Sequence, residues 1–199
     1  MSEVLAYMSI PGIRIRNSSS VIEGEVFDDI TDWGGTFVEK ARAALLELAS
    51  GPMGRGRMII DGVSAALGSR GHAITIEPAT DFDGQAGSGW SDELLLVRWN
   101  PEPMPVSGDD FDQLDGIPAF IILGHELIHA MHSLTGMVTR TRNRWDDKAV
   151  EEARTIGLGP WEGEPLTENG LRDEWGLRPR RTFTGSEAKQ FLKGTGYDI

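Results

Sequence analysis

Apolar residues recur along this chain with two different periods. Phe37, Val38, Ala41, Ala44, Leu45 and Leu48 repeat at threes and fours, which predicts a helix over 36–49 closed by Ser50-Gly51-Pro52. A second, shorter helix is expected over 58–67, ending at Gly68. His72 to Glu77 alternates instead and stops at Pro78, and Glu93 to Trp99 reads as another strand stopped by Asn100-Pro101. With a Gly-rich turn over 83–89 between them, the two strands predict an antiparallel pair. Ile117 to Leu134 returns to a helical, strongly apolar pattern and ends on Thr135-Gly136, a glycine stop signal. Further helices are expected over 146–156, closed by Gly157, and over 167–175, with Thr167 and Glu168 placed for its start. Residues 1–30 read as strand or loop and 101–116 as a proline-rich acidic surface loop. The pattern is that of an α+β fold, a single domain over 1–199 with a short antiparallel sheet packed on helices.

Composition narrows the classes. Of 199 residues, 39% are hydrophobic and 25% charged, the balance of a folded soluble domain and not of a disordered chain. There is no cysteine, so neither a disulfide framework nor a thiolate metal site is available. The apolar run 117–123 is too short for a membrane span, and Met1-Ser2-Glu3-Val4 does not begin a secretory signal. The formal charge is −12, and residues 1–139 hold 20 Asp+Glu against 8 Lys+Arg. Phosphates would be repelled there, so a nucleic acid or an anionic membrane is not an expected partner. Gly54-Arg55-Gly56-Arg57 has no following Gly-Lys-Ser/Thr and reads as a turn between helices, not a phosphate loop.

The chemistry concentrates in His125-Glu126-Leu127-Ile128-His129. On a helix, residues four apart share a face, so His125 and His129 can point imidazole nitrogens at one ion. Glu126 is turned by about 100°, which misses the metal but reaches a water held beside it. Zinc makes such a water acidic near neutral pH, and a carboxylate can then act as its base. His132 lies about 10 Å along the helix from His125 at 1.5 Å per residue, too far to share an ion held by bonds of about 2 Å. It is expected to support the site and not to bind the metal. The metzincin extension is absent, since His132 and Thr135 stand where glycine and histidine would be needed. A third ligand is expected from the following helix, where Glu151 and Glu152 sit side by side; one can face the metal while the other bonds a histidine or faces water.

His125-Glu126-Leu127-Ile128-His129-Ala130-x-His132-x-Leu134-x-Gly136, followed by Glu151-Glu152-x-Arg154-Thr155-x-Gly157, resembles the core of clostridial neurotoxin light chains. It is more similar still to the compact NleD-like zinc metallopeptidase effectors, and the linked motifs span roughly 117–183. The resemblance implies a compact zincin-like fold and one zinc per chain, with His125, His129 and Glu152 as ligands and Glu126 as general base. It further implies Glu151 as a carboxylate bonded to a ligand, with Arg154 and Thr155 tying the glutamate helix to the motif helix. Arg180 matches the arginine of the family's Arg-x-x-Tyr element, which helps stabilise the transition state. Phe183 stands where that element has tyrosine and brings no hydroxyl; losing one oxyanion donor costs on the order of 100-fold. Tyr7 and Tyr197 are the only tyrosines that could compensate.

Three functions compete on this reading. The first is an endopeptidase acting on one protein in a host cell. The second is a zinc-binding module with weak or no catalysis, which Phe183 supports. The third is an antibacterial toxin with the same chemistry, restrained by an immunity protein. Glu126 favours the enzymes, because a structural zinc site would close with a fourth ligand and would not need it. The resemblance implies secretion without a signal peptide and action in a target-cell cytoplasm.

Overall fold

A computed structural model describes residues 10, 12–16, 34–68, 73–79, 89–91, 95–101, 117–137 and 144–181. The expectations for most of 1–30, for the turn before Gly89, for most of the 101–116 loop, and for Phe183, Tyr7 and Tyr197 lie outside the described residues.

The chain order is β1 (Ile13–Ile15), α1 (Gly34–Ala49), α2 (Arg55–Gly68), β2 (Ile74–Pro78), β3 (Gly89–Ser91), β4 (Leu96–Trp99), α3 (Ala119–Thr135), α4 (Arg144–Ile156), a short 3₁₀ turn (Gly159–Trp161) and α5 (Glu168–Glu174). The fold is α+β, with a mixed sheet in the order β1-β2-β4-β3. The expected antiparallel pairing of the two longer strands is overturned: β2 and β4 run parallel, with Ile76 opposite Val97 and Glu77 opposite Arg98. A parallel pair needs a crossover of a dozen or so residues, and residues 79–95 supply one. β3 begins at Gly89, the last residue of what reads in the sequence as a turn, and the antiparallel partner of β4 is this short strand. Local alternation marks a strand but carries no record of its direction.

One core holds the layers together. Ile74 and Ile76 of β2 and Val97 and Trp99 of β4 share a sheet face and pack with Phe37, Leu45 and Leu48 of α1, Ile59 and Val63 of α2, and Ile121, Leu123, Leu127 and Ile128 of α3. Trp99 sets the entry of α3: its ring lies 5.9 Å from Phe37, and its indole N–H donates to the Ala119 carbonyl at 2.8 Å. The opposite face of the sheet carries Glu77, fully buried and held by Arg16 and by Arg98 at 3.3 Å. The motif helix α3 is therefore central, and it ends where the sequence predicts, with Gly136 left-handed at φ 72° and Met137 N–H on the His132 carbonyl at 2.9 Å.

The short helix α5 is docked against α3 and α2. Leu171 reaches Gly124, where any Cβ would lie 2.6 Å from the Leu171 methyl, so the residue before the motif must be small. At the other end, Glu174 accepts from the Met53 N–H at 2.6 Å, and Arg55 donates to Asp173 at 2.8 Å and to the Gly170 carbonyl. Thr167 caps the first turn by accepting from the Gly170 N–H at 3.0 Å.

Gly170 lies on that first turn. A Cβ there would sit 2.2 Å from the Pro165 carbonyl oxygen, a backbone atom that cannot swing aside. Gly170→Ala is expected to destabilise the fold by about 1–3 kcal/mol, as overpacking does, seen as a lower urea midpoint at unchanged slope. An unchanged midpoint would mean that the turn before α5 gives way freely.

Candidate metal centre

Helices α3, α4 and α5 meet at the two motif histidines. His125 and His129 lie one turn apart on α3, and their rings stand edge to face with centroids 4.7 Å apart. Their Nε2 atoms approach to 3.0 Å. Glu152 of α4 faces both, Oε2 3.5 Å from His125 Nε2 and Oε1 3.4 Å from His129 Nε2. The three donor atoms of His125, His129 and Glu152 lie within 4.8 Å of one another. Zinc holds nitrogen and oxygen donors tetrahedrally at about 2 Å, which spaces them roughly 3.3 Å apart. The donor set fits such an ion in kind and in spacing.

Each imidazole is held from behind by a carboxylate of a different helix. His125 Nδ1 lies 2.9 Å from Glu168 Oε2 of α5, and Glu168 is itself gripped by Arg172 Nε at 2.7 Å and Arg180 Nη1 at 3.0 Å. His129 Nδ1 lies 3.1 Å from the Thr155 hydroxyl and 3.3 Å from Glu151 Oε1, both on α4. The Thr155 hydroxyl donates to Glu151 Oε1 at 3.2 Å. When the rings are neutral, Nδ1–H directed at an acceptor leaves Nε2 as the lone-pair nitrogen on the side of Glu152.

The remaining residues predicted for the site fall around this frame. His132 is buried with Nδ1 2.7 Å from Glu151 Oε1, apart from the three converging donors. Arg154 donates to the Met137 carbonyl and reaches its thioether at 3.8 Å, joining α4 to the end of α3. Arg180 is fixed twice by the Asn169 side chain, which accepts from its backbone N–H at 2.6 Å and donates to its carbonyl at 2.9 Å. In the sequence Glu168 reads only as a helix start, and nothing adjacent marks it as the partner of His125. The one local signal was Arg172, four residues on, the spacing of an intrahelical ion pair.

Four carboxylates, Glu126, Glu151, Glu152 and Glu168, gather here against the guanidiniums of Arg172 and Arg180, so the site is short of positive charge. Burial alone would lower the pKa of His125, but hydrogen bonds to Glu152 and Glu168 and the charges of Glu168 and Glu126 push it up to about 10. His129 is raised in the same way, through Glu151 and Glu152. Burial would raise Glu151, yet bonds to His129 and His132 bring it down to about 2. Glu152 and Glu168 are held well below the usual carboxylate range by their histidine and arginine partners. Glu126 goes the other way: burial raises it, helped by Glu152 and Glu168, and the two histidines offset only part of that.

The sign follows for the metal-free protein. His125 has a folded pKa above its ordinary 6.5, so the stability it contributes is full below pH 6.5 and is lost as pH rises towards 10. Zinc needs neutral imidazoles and must displace those protons. Zinc binding at pH 7 is expected to release at least one proton per ion, measured by calorimetry in buffers of different ionisation enthalpy. Heats that do not depend on the buffer would contradict the charge state described here.

The family model Peptidase_M91, described as effector protein, matches residues 29–183, which contain every site residue named above. No curated protein and no solved structure matches the chain.

Proposed function

Because this chain belongs to the Peptidase_M91 effector protein family, we propose that it is a zinc-dependent metalloendopeptidase that cuts a specific target protein. The family implies a protease effector, which acts on a protein substrate and is secreted into another cell. No helix among the described residues is long and apolar enough to cross a membrane. The observation that carries the zinc reading is the convergence of His125, His129 and Glu152 beside the buried carboxylate of Glu126.

Bound there, zinc would supply Lewis acidity, turning a water into a nucleophile near neutral pH and polarising the peptide carbonyl. Glu126 is the residue that would hold a proton from the attacking water and pass it to the leaving amine. Burial raises its pKa, the direction that suits a group that must give a proton back as well as accept one. Glu168 and the Glu151–Thr155 pair keep the imidazoles in the required tautomer and orientation. Arg180 restrains Glu168 and so acts on His125 at one remove. In this reading it also stabilises negative charge in the transition state, the role implied by the family's Arg-x-x-Tyr element. The target lies in the cytoplasm of a host or of a bacterial competitor, and an immunity protein belongs to the second case. Phe183, with no hydroxyl where related effectors carry tyrosine, favours one further reading, a zinc-binding module with little catalysis.

Glu126→Gln is expected to retain one zinc per chain and to lower cleavage on the order of 10²–10⁴-fold. Alanine at His125, His129 or Glu152 should lose the metal, whereas His132→Ala should keep it. Elemental analysis of the purified variants reads the metal; peptide mass spectrometry of host and bacterial lysates incubated with them reads cleavage. Equal cleavage by wild type and Glu126→Gln would place the base elsewhere. Zinc bound by a wild type that cuts nothing would favour the module.

A further inference from the structure

After α5 the chain turns back on itself. Gly176 takes φ 66°, in the left-handed region that suits glycine, and residues 177–181 then return along the helix without regular structure of their own. This strap is tied down through its main chain. The Leu177 N–H donates to the Arg172 carbonyl at 2.7 Å, and Arg172 Nη1 donates to the Arg178 carbonyl at 3.2 Å. Pro179 has no N–H to offer. At Arg180 one side chain, Asn169, takes both main-chain groups, accepting from the N–H at 2.6 Å and donating to the carbonyl at 2.9 Å. An amide carries one acceptor and a donor side by side, so Asn169 gives Arg180 the pair of bonds that a neighbouring strand gives a residue in a sheet.

The clamp sets a direction. Arg178 and Arg181 are exposed, whereas Arg180 is turned inward, its side chain 16% exposed. Its guanidinium lies 3.0 Å from Glu168 Oε2, the same oxygen that meets His125 Nδ1 at 2.9 Å. The other oxygen of Glu168 is held by the buried Arg172 at 2.7 Å. A path of direct contacts therefore runs from the Asn169 amide through Arg180 and Glu168 to a metal-facing imidazole. A strap without helix or ladder leaves the root of the Arg180 side chain to its own main-chain torsions, and the long side chain magnifies any error at that root. Groups that stabilise a transition state must be held to about 0.5 Å, so the root needs a fixed support.

We propose that Asn169 is a positioning residue of the peptidase: its paired bonds to the Arg180 main chain aim the guanidinium that steadies Glu168 and stabilises charge in the transition state. The proposal rests on the peptidase reading above and adds to it a residue that acts through Arg180.

The test compares zinc-loaded wild type, Asn169→Ala, Arg180→Ala and the double variant on a peptide that wild type cuts, selected from a random-sequence library. Asn169→Ala should lower kcat about tenfold, as small misplacements of reacting groups do, with KM and zinc content unchanged. In the Arg180→Ala background the same change should cost nothing more, because the two residues act as one unit. Hydrogen exchange needs no substrate: the Arg180 N–H should exchange faster in Asn169→Ala, while the Leu177 N–H stays protected. Asn169→Asp keeps the shape and the acceptor but loses the donor to the Arg180 carbonyl, and its kcat should fall between the two. If Asn169→Ala fails to fold, the aspartate variant carries the same tests. An unchanged kcat, an equal loss with and without the Arg180 side chain, or unchanged exchange at Arg180 would each overturn the proposal and leave the peptidase reading standing. A wild type as silent as Glu126→Gln would remove both.

Discussion

The contact on which the site depends is the bond from each motif imidazole, through Nδ1, to a carboxylate behind it. A helix sets two histidines on one face, but it does not set their ring flips or tautomers. Here Glu168 settles His125, and Glu151 with Thr155 settles His129. The two supports come from α5 and α4, not from the motif helix itself. Loss of either would leave the donor residues in place with one ring free to turn, and a site too loose by an ångström binds and catalyses poorly.

That dependence explains the packing around α5. Its seven residues are too few to be a stable helix on their own, yet it must hold Glu168 to a fraction of an ångström. It does so by burying Leu171 against Gly124, by the Thr167 cap, and through its last two acids, Asp173 bonded to Arg55 at the start of α2 and Glu174 to the Met53 N–H just before it. Gly124 thus has two duties, letting α5 come close and standing immediately before His125. The acid excess at the centre is the cost of building supports from carboxylates. It pushes the histidines towards the protonated state, and a divalent cation is the natural relief.

The sequence made the helical part of this site readable because its signals are local. The i, i+4 spacing of His125 and His129, the Gly136 stop and the Thr167 cap each act within one turn of chain. The direction of β2 against β4 was not readable, since a strand's alternation is the same whichever way its neighbour runs. Glu168 was hidden for a related reason. It lies 43 residues from its partner, and a buried glutamate at a helix start looks like any acidic first-turn residue favoured by the helix dipole. Arg180 was legible as a residue of interest through family resemblance, but its bond to Glu168 needed the fold.

The helix α4 shows how metal and fold are linked. Its own apolar support is small: Ala149, Ala153, Ile156 and Leu158 form a cluster separate from the main core, with Trp161 alongside. What joins α4 to α3 is largely polar, namely Arg154 on the end of α3 and the Glu151–Thr155–His129–His132 group. Such groups stabilise little by themselves, because each exchanges a bond to water for one within the protein. An ion shared between two residues of α3 and one of α4 would add a strong tie across that junction, and its binding energy would become folding energy for the helix that supplies Glu152. Occupancy of the site and docking of α4 should therefore rise and fall together, while α5, anchored on the main core through Leu171, keeps Glu168 in position whether or not the ion is bound.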